Sequence, residues 1–138
     1  MMTDVVKAWI PGSPVAKGRP RVVRTKDGRT MTYTPKTTAE YQAFVRMMAS
    51  QDAPEEPWDG PVAINLRFCI ERPKSVKPNK RPLPIVKPDL DNLEKAILDA
   101  LNGVWYTDDS RIVRKVSEKK YVPQGQGGVA VEMHKEAG

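Results

Sequence analysis

The clearest structural signal in the sequence is the stretch over residues 87–103, KPDLDNLEKAILDALNG. Its apolar residues recur at helical spacing and form one stripe, made of Leu93, Ala96, Ile97, Ala100 and Leu101. Gly103 follows the last of them, in the position where a glycine commonly ends a helix. The stretch therefore predicts an amphipathic helix over residues 90–102.

The segments on either side of this helix predict the other elements. A second amphipathic helix is predicted over residues 36–51. The strict alternation of residues 62–70 predicts a strand with one buried side, and Cys69 on its other face is interpreted as structural. Further strands are predicted at 4–10, at two places within 16–33 around an Asp-Gly turn, at 111–122 and at 128–134. The 138 residues suit a single domain, 1–138, of the α/β or α+β class.

Charge is distributed unevenly along the chain, which has a net charge of +6. Basic residues dominate three segments, while residues 88–109 between the last two hold six acids and only Lys95. The basic segments are 12–36, 67–87 and 111–120. Basic segments around an acidic patch favour a polyanionic partner, such as a nucleic acid, together with a site that needs carboxylates. A solvated basic surface is the alternative.

The segment 71–87 combines several lysines with closely spaced prolines and has no sustained periodicity. Long segments without secondary structure of their own are usually functional or disordered. We expect a mobile basic loop that becomes ordered when it binds a phosphate backbone.

Residue counts exclude several other classes of protein. The single cysteine, Cys69, cannot form an internal disulfide and fits a reducing compartment. One cysteine and one histidine, His134, argue against a zinc site. The first residues lack the apolar core of a signal peptide, and no apolar run approaches the ~20 residues of a membrane span. We therefore expect a cytoplasmic protein without a membrane partner.

Two carboxylates, Asp89 and Asp91, lie at the predicted N-terminus of the helix over residues 90–102. An N-cap role explains one of them and leaves the other without an explanation. Alternate residues of an extended segment point the same way, so the two carboxylates can converge. Because they repel each other unless a cation lies between them, and because Mg²⁺ and Mn²⁺ prefer oxygen ligands, the pair indicates a divalent-metal site.

Three further charged residues extend this candidate site. Lys95 falls one helical turn after Asp91, where it either pairs with that carboxylate or holds a phosphate beside the metal. Asp108 and Asp109 follow the helix after a short loop, and a third carboxylate from this pair can complete the site. A solvated turn is the alternative, and the spacing does not choose between the two aspartates. Together these residues favour a metal-dependent phosphodiesterase.

The quoted stretch, with YTDDSRI at residues 106–112, resembles the RusA family of Holliday junction resolvases, which is common in bacteria and their prophages. Two N-terminal segments, GSPVAKGRPRV and YTPKTTAEY, resemble the same family. The resemblance implies a small α/β domain with a mixed sheet and two main helices, which works as a homodimer. It implies that Asp89, Asp91 and Asp109 bind the metal and that Lys95 is essential for catalysis.

The resemblance also implies a reaction. We expect a Mg²⁺-dependent endodeoxyribonuclease, with Mn²⁺ as a possible substitute, that resolves four-way DNA by paired symmetric nicks in recombination and repair. Candidate DNA contacts are Lys17, Arg19, Arg21, Lys87 and Lys95, which would position the phosphate backbone rather than read sequence. The alternatives are a non-cleaving protein that binds branched DNA and a nuclease that prefers flaps or forks.

Overall fold

The computed structural model describes residues 4–16, 21–24, 30–33 and 36–136, with the two short middle ranges and Lys36 described by their backbone. The strands are Val5–Pro11 (β1), Arg21–Arg24 (β2), Thr30–Tyr33 (β3), Val62–Glu71 (β4), Ile112–Val122 (β5) and Gly128–Lys135 (β6). The helices are Lys36–Ser50 (α1) and Leu90–Leu101 (α2), and a 3₁₀ turn spans Asp109–Arg111. The strands and helices predicted outside the segment 16–33 are confirmed, with ends that differ by one residue at most.

The main sheet has four strands in the order β1-β6-β4-β5. β6 lies antiparallel to both β1 and β4, whereas β5 lies parallel to β4, so the sheet is mixed. A parallel pair needs a long crossover connection, and α2 with its flanking segments provides it. The strands β2 and β3 form a separate antiparallel pair, although the predicted turn between them lies outside the described residues. The chain is a single small α+β domain with a mixed sheet and two helices.

The core lies between this sheet and the two helices. The predicted apolar stripe of α2 is buried, and so are the alternating residues of β4 from Val62 to Phe68. Ala63 and Cys69, on the other face of β4, are also buried, which the alternation did not predict. β4 is a central strand, and its neighbours on both sides shield these small side chains.

Two aromatic residues after α2 extend the core toward α1. Trp105 and Tyr106 are fully buried, and the Trp105 indole N–H donates a 2.9 Å hydrogen bond to the Ala49 carbonyl oxygen. This bond ties the end of α1 to the segment that follows α2, and so fixes the chain just before Asp108 and Asp109. Within the described part of the chain, no helix has the length and apolar character that a membrane crossing requires.

Candidate active site

A pocket of about 330 Å³ lies between α2 and the first half of β5. Three of the four predicted catalytic residues, Asp91, Lys95 and Asp109, line it. The other lining residues are Glu94, Leu98, Asp99, Ile112 and Lys115. Asp89 is not among the lining residues and lies at the adjacent N-terminal end of α2. The fold therefore brings together side chains of α2 and side chains of the segment 109–115 that follows it.

A larger depression, of about 1040 Å³, lies elsewhere on the molecule. Residues 52–62 line it together with the start of β1 and the residues Lys135 and Glu136. None of the predicted site residues lies there. Size alone does not indicate a catalytic function, so the smaller pocket, which holds the predicted residues, is the candidate active site.

α2 supplies most of the pocket through one row of side chains. Asp91, Lys95 and Asp99 follow one another at intervals of four residues, which places them on the same side of the helix. Within this helix no ion pair joins Asp91 to Lys95. One ion pair of α2 connects Glu94 to Lys115 of β5 at 2.7 Å, and Glu94 is largely buried. The alternative that Lys95 serves to pair with Asp91 therefore has no support in the geometry.

Asp89 occupies the N-cap position of α2 in an extended conformation, with φ −68° and ψ 150°. Its carbonyl oxygen accepts a 3.1 Å hydrogen bond from the Leu93 N–H, but its side chain makes no capping hydrogen bond. The helix therefore uses the backbone of Asp89 and not its carboxylate. The extended backbone ends at Asp89, because Leu90 and Asp91 already belong to α2, so the convergence of the two carboxylates stays a prediction.

The adjacent residues Asp108 and Asp109 have different environments. The Asp108 carboxylate caps the 3₁₀ turn by accepting a 2.9 Å hydrogen bond from the Ser110 N–H. Hydrogen bonds from the Ser110 side chain and from this N–H hold the pKa of Asp108 below its usual value. Asp109 instead lines the pocket. The capping bond thus directs one carboxylate into the turn while its neighbour faces α2.

A buried tyrosine lies next to Asp109. The Tyr106 hydroxyl donates a 2.5 Å hydrogen bond to the Leu98 carbonyl oxygen, in the last turn of α2. Burial raises the pKa of Tyr106, and the nearby Asp109 carboxylate raises it further. The hydroxyl therefore stays protonated and links the position of Asp109 to that of α2. The sequence analysis did not identify Tyr106, because nothing in the spacing connects it to Leu98.

The loop before β4 fixes the same segment from the other side. The Asp59 carboxylate accepts hydrogen bonds from Thr107 Oγ1 at 2.6 Å and from Arg111 Nε at 3.2 Å, and these two partners hold the pKa of Asp59 below its usual value. The Trp58 N–H donates to Trp105, and the Thr107 N–H donates back to the Trp58 carbonyl oxygen, at 3.0 and 3.1 Å. Asp59 thus holds the chain on both sides of Asp109.

The chemistry of the pocket fits a hard divalent cation, because carboxylate oxygens are the ligands that Mg²⁺ and Mn²⁺ prefer. Four carboxylates line the pocket, of which Glu94 already pairs with Lys115. In the described part of the chain, however, no group of three or more Asp, Glu, His or Cys side chains is arranged to hold a metal ion. The types of ligand in the pocket suit Mg²⁺, whereas the joint ligation of one ion by Asp89, Asp91 and Asp109 stays a prediction.

The predicted DNA contacts fall in different parts of the molecule. Lys95 lines the pocket, and Lys87 is exposed at the end of the loop that leads into α2. Lys17 and Arg19 lie outside the described residues, and Arg21 is described only as the first backbone position of β2. The structure therefore associates two of the five residues with the candidate active site.

Two comparisons with known proteins bear on this site. The family described as Endodeoxyribonuclease RusA matches residues 11–134, which include both segments that line the pocket. The protein of Bacillus subtilis (strain 168) named Uncharacterized protein YqaN is 35% identical over 127 residues, which are 86% of this chain and 89% of that relative. The chain therefore belongs to the RusA family of endodeoxyribonucleases, and this membership indicates a nuclease that resolves Holliday junctions.

Proposed function

We propose that this protein is a Mg²⁺-dependent resolvase that cuts four-way DNA junctions by paired, symmetric nicks. The observation that carries the proposal is the presence of Asp91, Lys95 and Asp109 in one pocket, although Asp109 lies outside α2, which carries the other two. Membership of the family indicates that the protein is a DNA endonuclease. The pocket adds carboxylates that suit a cation and an amine that suits a phosphate.

The proposed metal ligands are Asp89, Asp91 and Asp109. A Mg²⁺ ion bound there supplies a polarised phosphoryl oxygen and a water of lowered pKa for attack on the phosphorus. The two proposed ligands that line the pocket, Asp91 and Asp109, come from different elements, so their separation depends on how the 3₁₀ turn is held against α2. Tyr106 and Asp59 hold that turn through the contacts described above.

Lys95 is the proposed phosphate ligand. Because it makes no ion pair with Asp91, its ammonium group is available to a phosphoryl oxygen that enters the pocket. A positive charge at this position offsets the negative charge that develops on the phosphoryl oxygens during hydrolysis. Glu94, one residue before it, is already neutralised by Lys115 and does not compete for Lys95.

A homodimer is part of the proposal. A twofold axis relates two identical sites, and a four-way junction offers two opposite strands in equivalent positions. Two sites related in this way suit paired nicks, which leave two duplexes that a ligase can repair. Basic segments around each site would hold the arms through phosphate contacts, so binding should weaken steeply as salt rises.

Cleavage of a synthetic four-way junction tests this proposal. The wild type should nick two opposite strands at symmetric positions with MgCl₂ and none with EDTA. The variant Asp91→Asn should bind the junction in EDTA as the wild type does and fail to cut it with MgCl₂. Asp52→Asn, which changes an exposed aspartate in the loop after α1, is the matched control and should cut normally.

The same assay separates the alternatives. A protein that binds junctions and never cuts them, with any divalent cation, would be a branched-DNA-binding protein. Faster cutting of a flap or fork than of the junction would instead indicate a nuclease for those structures. Cutting of linear duplex at the rate of the junction, or full activity of Asp91→Asn, would contradict the proposal.

A further inference from the structure

The loop between β4 and α2, residues 72–88, presents apolar side chains to solvent. Leu83, Ile85 and Val86 are 58%, 82% and 44% exposed, while Pro84 between them is buried. Of the large apolar side chains that the described residues expose, three therefore lie within four consecutive positions. We call residues 83–86 the apolar tip. Contiguous exposed apolar groups commonly mark an interaction site.

The apolar tip is held at its N-terminal side by Arg72. Its guanidinium donates hydrogen bonds to the carbonyl oxygens of Arg81, at 2.6 Å, and Pro82, at 3.2 Å. The same guanidinium lies 4.3 Å from the centroid of the Tyr121 ring, near the end of β5. The chain that enters the tip is therefore fixed to the sheet.

Lys119 of β5 holds the other side of the tip. Its Nζ donates to the carbonyl oxygens of Val86, at 2.9 Å, and Pro88, at 3.0 Å. These two bonds lie directly before Asp89, so the tip and the proposed metal ligand share one anchor. The predicted mobility of residues 71–87 stays a prediction.

The surface around the tip is basic. Residues 72–88 contain no acidic residue, and four of their lysines are exposed: Lys74, Lys77, Lys80 and Lys87. Such a surface is complementary to a phosphate backbone. A second copy of the same loop would bring like charges together, which disfavours it as the occupant of this surface.

We propose that Leu83 and Ile85 form a wedge that inserts between unstacked bases at a DNA branch point, while the surrounding lysines hold the phosphates. Apolar side chains are inserted between base steps by several DNA-bending proteins, at the cost of unstacking the bases. At a branch point the stack is already interrupted, whereas a linear duplex must first be opened. The wedge rests on the proposed function and extends it, because it explains a preference for branched over linear DNA.

Fluorescence of 2-aminopurine, placed either at the branch of a four-way junction or in a linear duplex, tests the wedge. The measurements use the full chain in EDTA, so that no DNA is cut. Binding of the wild type should raise the fluorescence at the branch. The double variant Leu83→Ser/Ile85→Ser should lose this rise and bind the junction about tenfold more weakly, because it buries less apolar surface. Its affinity for linear duplex should stay within about twofold of the wild type.

Met47→Ser is the matched control, since Met47 is an apolar side chain on α1 that is 56% exposed. It should retain both the fluorescence rise and the affinity. Wild-type fluorescence and affinity in the double variant would overturn the wedge. So would a dimer that dissociates on the double substitution in sedimentation velocity, because the tip would then contact a second copy.

The two proposals fail in different ways. A wild type that gives the branch-specific fluorescence rise but never cuts with MgCl₂ would overturn the proposed function and support the wedge. A wild type that cuts junctions normally, with no rise and no effect of the double substitution, would overturn the wedge alone.

Discussion

α2 and the 3₁₀ turn Asp109–Arg111 both contribute to the pocket, yet they are held in place by different means. α2 carries its pocket residues on one row and its buried stripe on another, so its own periodicity orients Asp91 and Lys95. The turn has three residues and none of them is buried. Besides the cap from Asp108, it is held by residues that are remote in sequence, among them Asp59. The periodicity of a helix thus orients a site residue by itself, whereas a short turn also needs contacts with residues that are distant in the sequence.

The substitution with the largest expected effect tests which of the two adjacent carboxylates, Asp108 or Asp109, binds the metal. Asp109→Asn should lower the single-turnover rate of junction cleavage by about 10³-fold, because a metal ligand is lost. Asp108→Asn is the natural control, since it changes only the group that caps the turn, and it should cut within a few-fold of the wild type. Equal losses in the two variants would show that the turn acts as a structural unit and would contradict the distinction between its two carboxylates.

The next effect concerns α2. Lys95→Met should lower the same rate by about 10²-fold, because the charge that offsets the phosphoryl oxygens is removed. Binding of the junction in EDTA should weaken much less than the rate falls. Lys7→Met, on β1, is a suitable control, since Lys7 is a highly exposed lysine on the edge strand opposite to β5, which lines the pocket. Normal cleavage by the Lys95 variant would contradict the proposed role of Lys95 as a phosphate ligand.

The smallest expected effect concerns the contact that holds the turn. Asp59→Ala removes the acceptor for Thr107 and Arg111 but no group in the pocket. Because exposed ion pairs contribute little, cleavage should slow by less than about fivefold. A larger concentration of Mg²⁺ should be needed for half-maximal rate, since Asp109 is positioned less well. Glu55→Ala in the same loop is the control. An unchanged Mg²⁺ dependence would show that Tyr106 and the backbone contacts of Trp58 suffice.

Much of the fold followed from the sequence because its elements carry strong periodicity. The stripe of α2 and the alternation of β4 identify each element and its buried side without knowledge of any partner. The parallel pairing of β4 with β5 could not be derived from either pattern. It depends on the path of the chain through α2, which local sequence does not encode.

The candidate site, like the fold, was predictable where local spacing determines it and not where contacts between elements do. The spacing of Asp91 and Lys95 was visible in the sequence, but Glu94 was not recognised as the partner of Lys115. That ion pair joins residues from two elements whose relative position is set by the register of β5. Spacing likewise could not distinguish the environments of Asp108 and Asp109, which differ by one capping hydrogen bond.

Lys115 and Lys119 lie at positions of β5 that point to the same side. Lys115 binds Glu94 within α2, and Lys119 binds the loop directly before α2. A shift of β5 by one residue along β4 would turn both lysines to the opposite face in a single step. A substitution of either lysine removes one of these contacts, whereas a residue inserted or deleted before Lys115 would displace both together. At this edge strand, a change of length is therefore expected to disturb the molecule more than a change of one side chain.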